Sequence, residues 1–218
     1  MRERSAGDDA VLLDFSDEAQ PALSAAGVAH ALRVAAADGQ LSASDVVATA
    51  ESVLVQSAPG AGLDLAAVRR AVLSLPPVRG PAAAEEIVEI PVVYDGADLG
   101  DVAGLTGTSP GEIVAAHSAI SWRVQFMGFA PGFGYLVPDD GPAPARELFA
   151  ALGRREQSRP AVPPGSVAVA AGYSAVYPRT SPGGWFLLGH TDIALWDAAA
   201  EPPALLSSGT LVRFSCAD

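Results

Sequence analysis

The chain has 218 residues, 50% of them hydrophobic and only 17% charged, with a formal net charge of −12 and arginine at all 13 of its Lys-plus-Arg positions. That apolar content excludes a disordered chain, the acidity disfavours nucleic acid as a partner, and the missing lysine removes a Schiff-base or phosphate-loop lysine from the available chemistry. No stretch approaches the ~20 continuous apolar residues of a spanning helix, the opening MRERSAGDDA holds no apolar leader core, and the one cysteine, Cys216, permits no intrachain disulfide, so a cytoplasmic protein with no membrane partner is expected.

In chain order, Val11 to Phe15 reads as a short strand. Residues 18–37 place Leu23, Ala26, Ala29, His30, Leu32, Arg33 and Ala36 at spacings of three and four, which predicts a helix stopped by Asp38-Gly39. Val46 to Ala50 and Ser52 to Gln56 read as two further strands. Asp64 is placed to cap a second helix running to Leu75, where Pro76-Pro77 ends it. This order suits a small sheet with helices on one face. The Pro-rich segment 76–84 predicts a linker, dividing the chain into domains at 1–84 and 85–218.

Past the linker, Glu86 to Tyr94 alternates as a strand. Two short helices follow, from Asp98 to Leu105 and from Pro110 to Ser118, the second capped by Ser109 with Glu112 in its first turn. From Trp122 the pattern becomes short apolar runs cut by Gly and Pro: Trp122 to Met127, Ser166 to Ala170, Ser174 to Tyr177, Trp185 to Gly189, Ile193 to Trp196 and Thr210 to Phe214. Six such strands predict a closed or nearly closed antiparallel barrel. The fold class is therefore α+β and mostly β.

Three segments can carry chemistry. Gly128-Phe-Ala-Pro-Gly-Phe-Gly-Tyr-Leu packs Phe129, Pro131, Gly132, Phe133 and Tyr135 into one stiff loop. Its rings either stack on a flat substrate or partner, or fill the core. Arg154, Arg155 and Arg159 precede the rigid turn through Pro163 and Gly165; they either clamp an anion or form a solvated charged loop. Tyr177-Pro-Arg-Thr-Ser-Pro-Gly-Gly-Trp offers backbone N–H groups near Gly183 and Gly184 to an oxyanion, or is an ordinary hairpin loop. Of three histidines, His30 is read as structural. His117 either transfers protons or simply ends a helix, and His190 ends a strand. No metal-ligand spacing occurs, so no metal is expected in this chain. The parts amount to half a site.

The ordered series GFAPGFGYL, RxxxRPAVPPGSVAVA, YPRTSPGGWFLLGHT and LLSSGTLVRF, with IPVVYDGADLGDVA before it, resembles the KipI / allophanate hydrolase subunit 1 family, whose bacterial members include a component (PxpB-like) of ATP-dependent 5-oxoprolinase. The resemblance is close over residues 86–214. It implies a cyclophilin-like barrel behind a small α/β domain, and a partner, the homologous subunit 2 (KipA- or PxpC-like). It further implies a third subunit of the LamB/YcsF (PxpA-like) type, and ATP used by the complex at a site not assignable to this chain. The implied activity is opening of 5-oxo-L-proline to L-glutamate, or a related allophanate hydrolase or urea-carboxylase-type carboxyl transfer, by an assembly in which this chain is not autonomous. The alternative is a regulatory protein that inhibits a sensor histidine kinase. Within the motifs, Arg159 would bind an anionic substrate, Ser166 would orient it and His117 would move a proton. Phe129, Phe133 and Tyr135 would exclude water, with Pro131, Gly132, Pro163, Gly165, Tyr177, Gly183, Gly184 and Trp185 completing a groove shared with the partner. His190 stands where the family often carries Arg or Asn.

Overall fold

A computed structural model of the chain describes residues 1–74 and 87–217. The chain divides into two compact units, Met1–Ala83 and Ala84–Asp218. The expected linker at 76–84 and the division at 84/85 lie outside the described residues.

The first unit runs β1 (Arg2–Ser5), β2 (Ala10–Asp14), α1 (Pro21–Ala37), β3 (Asp45–Ala48), β4 (Ser52–Gln56) and α2 (Leu65–Leu73). The sheet is antiparallel in the order β1-β2-β4-β3. Strand alternation turns Val11, Leu13, Val46, Val53 and Val55 toward one face. There they meet Ala25, Val28, Leu32 and Ala35 of α1, and Ala67 and Val68 of α2. Asp64 caps α2 by accepting from the N–H groups of Ala66 and Ala67. Two expectations shift. β1 is an additional edge strand whose residues are all exposed, so no apolar alternation marks it. The buried stripe of α1 is turned from the predicted one and leaves Leu23 exposed, because Ala25, Val28, Ala29, Leu32 and Ala35 are the residues that pack on the sheet; Pro21 suits the first helical position through its fixed φ and missing N–H.

The second unit runs β5 (Ile87–Val92), α3 (Leu99–Thr106), α4 (Pro110–Ala119), β6 (Ser121–Met127), β7 (Gly134–Asp140), α5 (Ala143–Ala151), β8 (Arg159–Val162), β9 (Ser166–Ala170), β10 (Tyr173–Val176), β11 (Ser181–Gly183), β12 (Phe186–His190) and β13 (Leu211–Cys216). Seven strands form one sheet in the order β12-β9-β10-β7-β6-β13-β5, and β8 pairs with β11 separately. All sheet pairings are antiparallel except β5 with β13. Trp122, Val124, Leu136, Val167, Val169, Leu188, Val212 and Phe214 fill the interior with Ile113 of α4 and Phe149 of α5. The Ser109 cap is a full capping box with Glu112.

The sheet closes on itself through the chain that follows β5. Val93 and His190 exchange both backbone hydrogen bonds at 2.9 Å, and the N–H groups of Gly96 and Asp98 reach the carbonyls of Leu188 and Leu187 at 3.0 and 3.1 Å. The two edge strands of the series are thereby joined, leaving no open edge between them. Two glycines make the approach possible. A Cβ on Gly189 would overlap the Val93 carbonyl, and one on Gly96 would overlap the Leu187 carbonyl.

β7, α5, β8 and β11 are elements that local sequence does not announce. β7 and β8 each carry an internal proline, Pro138 and Pro160, and β11 is only three residues long. α5 begins in a proline-bearing stretch that reads as a turn. Conversely, Ile193 to Trp196 is not a strand; Leu195 is buried in the core, and Trp196 makes one isolated bridge to Ala204.

The seam predicts a sharp contrast. Gly189→Ala should cost about 2 kcal/mol or more, because backbone rather than a flexible side chain must move. Gly104→Ala in α3, where an added Cβ meets nothing within 4 Å, should be neutral or stabilising by about 0.5–1 kcal/mol. Urea unfolding of the two variants checks this.

Candidate functional site

Alternation along β9 divides its side chains between two environments. Val167 and Val169 enter the barrel core, whereas Ala168 and Ala170 face outward. With Ala175 of β10 and Leu187 of β12, these alanines make a low floor on the outer face. On that floor the three expected segments meet. Phe133 lies 5.3 Å from Tyr177 and 5.9 Å from Trp185 between ring centroids, both edge to face, and Tyr135 lies 5.7 Å from Trp185. Val162 of β8 packs into the same layer. The register shift between Val124 and Phe126 in β6 turns Phe126 onto the outer face, where it stacks on Tyr135 at 4.3 Å.

The glycines let backbone come close to this layer. Gly183, which pairs with Arg159, has no room for a Cβ because the Tyr177 hydroxyl occupies that space. Gly184 lies against Ser158, and its carbonyl accepts from the Arg155 N–H at 2.9 Å. Gly165 adopts φ +76° against the Thr191 carbonyl and donates its N–H to the Tyr177 carbonyl at 2.7 Å. Gly132, at φ +80°, turns the aromatic loop against Leu195.

The layer is packed rather than open. Phe133, Tyr177 and Trp185 are buried, and burial raises the Tyr177 and Tyr135 hydroxyls above the usual phenol range. Exposed at its rim are Pro131 and Pro163, together with Phe129, which is 56% exposed and whose φ of 65° is left-handed. For a bulky residue that conformation is costly and persists only where the surroundings enforce it. The rings of Phe133 and Tyr177 flank Phe129 at 5.1 and 6.4 Å.

Beside the layer sits a charge cluster built on Asp98. Its carboxylate is buried and accepts from the Leu187 N–H at 2.7 Å, from Arg159 Nη2 at 2.6 Å, and from Arg155 Nη1. Arg155 also lies over the Phe186 ring, 5.9 Å from its centroid. Arg159, expected to meet substrate directly, thus has one nitrogen committed to Asp98, while its Nη1 is buried without a partner among the described residues. Arg154 is exposed, and its charge acts on both the Tyr135 and Tyr177 hydroxyls. An open cleft of about 740 Å³ runs from Gly104 and Leu105 of α3 to Arg154, Arg155 and Glu156. From sequence Asp98 reads only as the start of a helix, where Asp is an ordinary residue, so no local signal marked it as the acceptor of two distant arginines.

His117 does not join this group. It is fully buried inside the barrel, stacked on Phe214 at 4.5 Å. Nδ1 is bonded to the Tyr94 hydroxyl at 2.8 Å and Nε2 to the Ser174 hydroxyl at 2.9 Å. Burial pulls its pKa down to about 3, so the ring is neutral and sealed from any substrate on the outer face. The expectation that it moves a proton there is corrected by this placement. Ser166 begins β9, opposite His190, and is buried. Among the described residues no group of three or more His, Cys, Asp or Glu side chains is placed to hold a metal, and no helix is long and apolar enough to cross a membrane.

Residues 1–206 match the family model described as carboxyltransferase domain, subdomain C and D. The chain belongs to that family. It is 43% identical over 132 residues to the B component of 5-oxoprolinase from Escherichia coli O157:H7, a match covering 58% of this chain and 56% of that one. It is 41% identical over 131 residues to the protein of the same name from Bacillus subtilis strain 168, covering 59% and 52%. The chain therefore spans about half the length of the curated relatives it matches. Among solved structures, TTHA0988 superposes with a TM-score of 0.78 at 34% identity, over 96% of this chain and 40% of that one. The Kluyveromyces lactis urea amidolyase shares the fold, with a TM-score of 0.74 at 16% identity over 99% of this chain and 15% of its own. Carboxyltransferase-type membership places the α+β architecture and its nearly closed barrel among known folds.

Two outcomes follow for this family member. Asp98→Ala should lose about 3 kcal/mol in urea unfolding, since it leaves two partly buried guanidinium groups and the Leu187 N–H without their acceptor. His117 has its pKa lowered on folding, so the unfolded chain binds more protons below pH 6.5, and stability falls as pH drops. Between pH 7 and pH 5 the loss from this residue should be about 2 kcal/mol. His117→Gln, although less stable, should show a flatter dependence over that window.

Proposed function

We propose that this chain is the PxpB-like component of an ATP-dependent 5-oxoprolinase, opening the lactam of 5-oxo-L-proline to L-glutamate only when assembled. Its companions in this reading are a subunit-2-type homologue and a third subunit of the LamB/YcsF type. ATP is used by the assembly. The similarity to curated 5-oxoprolinase components supports the substrate class, and the likeness to urea amidolyase supports the carboxyltransferase-type fold.

The observation that carries the reading is the outer face itself: a rigid layer of rings with one exposed, strained Phe129 at its rim, next to exposed Arg154 and an open cleft. Arg154 lines that cleft while its charge also reaches the ring layer, so in this reading the chain supplies half a site and a partner's surface completes it. Arg154 meets the substrate carboxylate, and Arg159, fixed by Asp98, adds positive charge behind it. Phe129 and Pro131 anchor the partner and keep water out. Exposed Pro163, on the turn that leads into buried Ser166, borders the same face.

Co-purification of the three subunits should yield ATP- and 5-oxoproline-dependent glutamate release. Arg154→Ala should raise KM about tenfold or more, and Phe129→Ala should weaken assembly by about 2 kcal/mol, measured by titration calorimetry. Absence of glutamate release with all three subunits present, together with tight binding of this chain to a sensor histidine kinase, would replace the enzymatic reading with the regulatory one.

A further inference from the structure

We propose that His190, oriented by Asp95, is the acid–base residue of this outer face. The inference rests on the amide-opening reading above and is particular to this chain, since the family often carries Arg or Asn at this position.

The position of His190 follows from a one-residue irregularity. In β12, Leu187 opposes Ala168 of β9 on the outer face, while Phe186 opposes Val169 and points into the core. Regular alternation would turn residue 189 outward and residue 190 inward. The register shift between Leu187 and Gly189 reverses this, so that Gly189 opposes Val167 and His190 opposes Ser166. A single-residue slip moves every later side chain to the opposite face. His190 therefore shares a face with Ser166, Ala168, Leu187 and the ring layer. The Ser166 carbonyl accepts from the Tyr177 N–H at 2.9 Å, and the Thr191 N–H donates to the Gly165 carbonyl at 2.9 Å, which ties this end of the face to the Pro163–Ser166 turn.

The imidazole is held from two sides. Its backbone is bonded in both directions to Val93 in the barrel seam. Its Nδ1 lies 2.8 Å from Asp95 Oδ1, three residues before Asp98 on the same seam segment. A carboxylate on Nδ1 fixes the tautomer with the proton on Nδ1 and leaves the Nε2 lone pair outward. Side-chain exposure is 46% for His190 and 59% for Asp95, so Nε2 is within reach of a substrate, unlike either nitrogen of His117. The other ionisable side chain beside it along the chain is Asp192, also exposed; Ser166 of β9 lies opposite it, and Thr191 follows β12.

In the step assigned to it, His190 Nε2 takes a proton from an attacking water as the water oxygen bonds to the lactam carbonyl carbon. The same proton passes to the lactam nitrogen as the C–N bond breaks. Asp95 takes up no proton; it is a positioning residue.

The test uses the three-subunit complex. His190→Gln should lower kcat about 100-fold or more with KM little changed, and should remove the fall in kcat/KM on the acid side of the pH profile. Asp95→Asn should lower kcat by a smaller factor and displace that limb, with Asp95→Glu restoring it. In the isolated chain, ¹⁵N NMR should report the Nδ1–H tautomer of His190 in the wild type and its loss in Asp95→Asn, a readout independent of turnover. If His190→Gln keeps wild-type kcat and pH profile while Arg154→Ala raises KM, the acid–base assignment is wrong and the function stands. If the wild-type complex releases no glutamate, both fall together.

Discussion

The second unit depends on how the segment from Val93 to Asp98 lies along β12. Four backbone hydrogen bonds join it to Leu187, Leu188 and His190, and Gly96 and Gly189 permit the approach by lacking side chains. This contact brings the two ends of a seven-stranded sheet together into a nearly closed barrel. It also places two acids of the same short segment on opposite errands: Asp98 turns under the arginines, and Asp95 turns to the His190 ring. Closing the fold and arranging the polar groups are one event, and a change at the seam reaches both.

The buried carboxylate of Asp98 explains why an arginine-rich loop can lie against an apolar surface. Three donors converge on it from β8, from the preceding loop and from the β12 backbone. An ion pair of this kind contributes modestly to stability while intact, because desolvation offsets attraction, yet it is expensive to break. Its value is in fixing where Arg155 and Arg159 stand, and so where Arg154 emerges. The two histidines of this unit show the same physics from opposite directions. His117 lies among rings in the core, where burial holds it neutral; His190 lies at the surface with a carboxylate on one nitrogen.

Much of the architecture was legible from local chemistry. Ser109 with Glu112 announced the start of α4, Asp64 announced α2, and the alternation of Val167 and Val169 with small residues announced β9. Strands that carry proline or few apolar residues, such as β8 and β1, were not legible, since their stability comes from pairing partners far away in the chain. The aromatic, arginine and Gly-Gly segments could each be singled out by composition, but composition alone left open whether the rings faced a ligand or the core. The answer divides by residue: Phe133, Tyr177 and Trp185 pack on one another, and Phe129 projects.

By itself the sequence determined which residue types were available, where helices could start and stop, and that three stiff segments of the second half belong to one family pattern. These depend on covalent geometry, capping and periodicity, which act over a few residues. Only the tertiary structure decided that those segments share an outer face, that Asp98 lies under Arg155 and Arg159, that His117 is sealed away, and that a one-residue shift in β12 turns His190 outward. Each of these depends on strand register and barrel closure between residues up to about a hundred positions apart, a separation over which local preference carries no information.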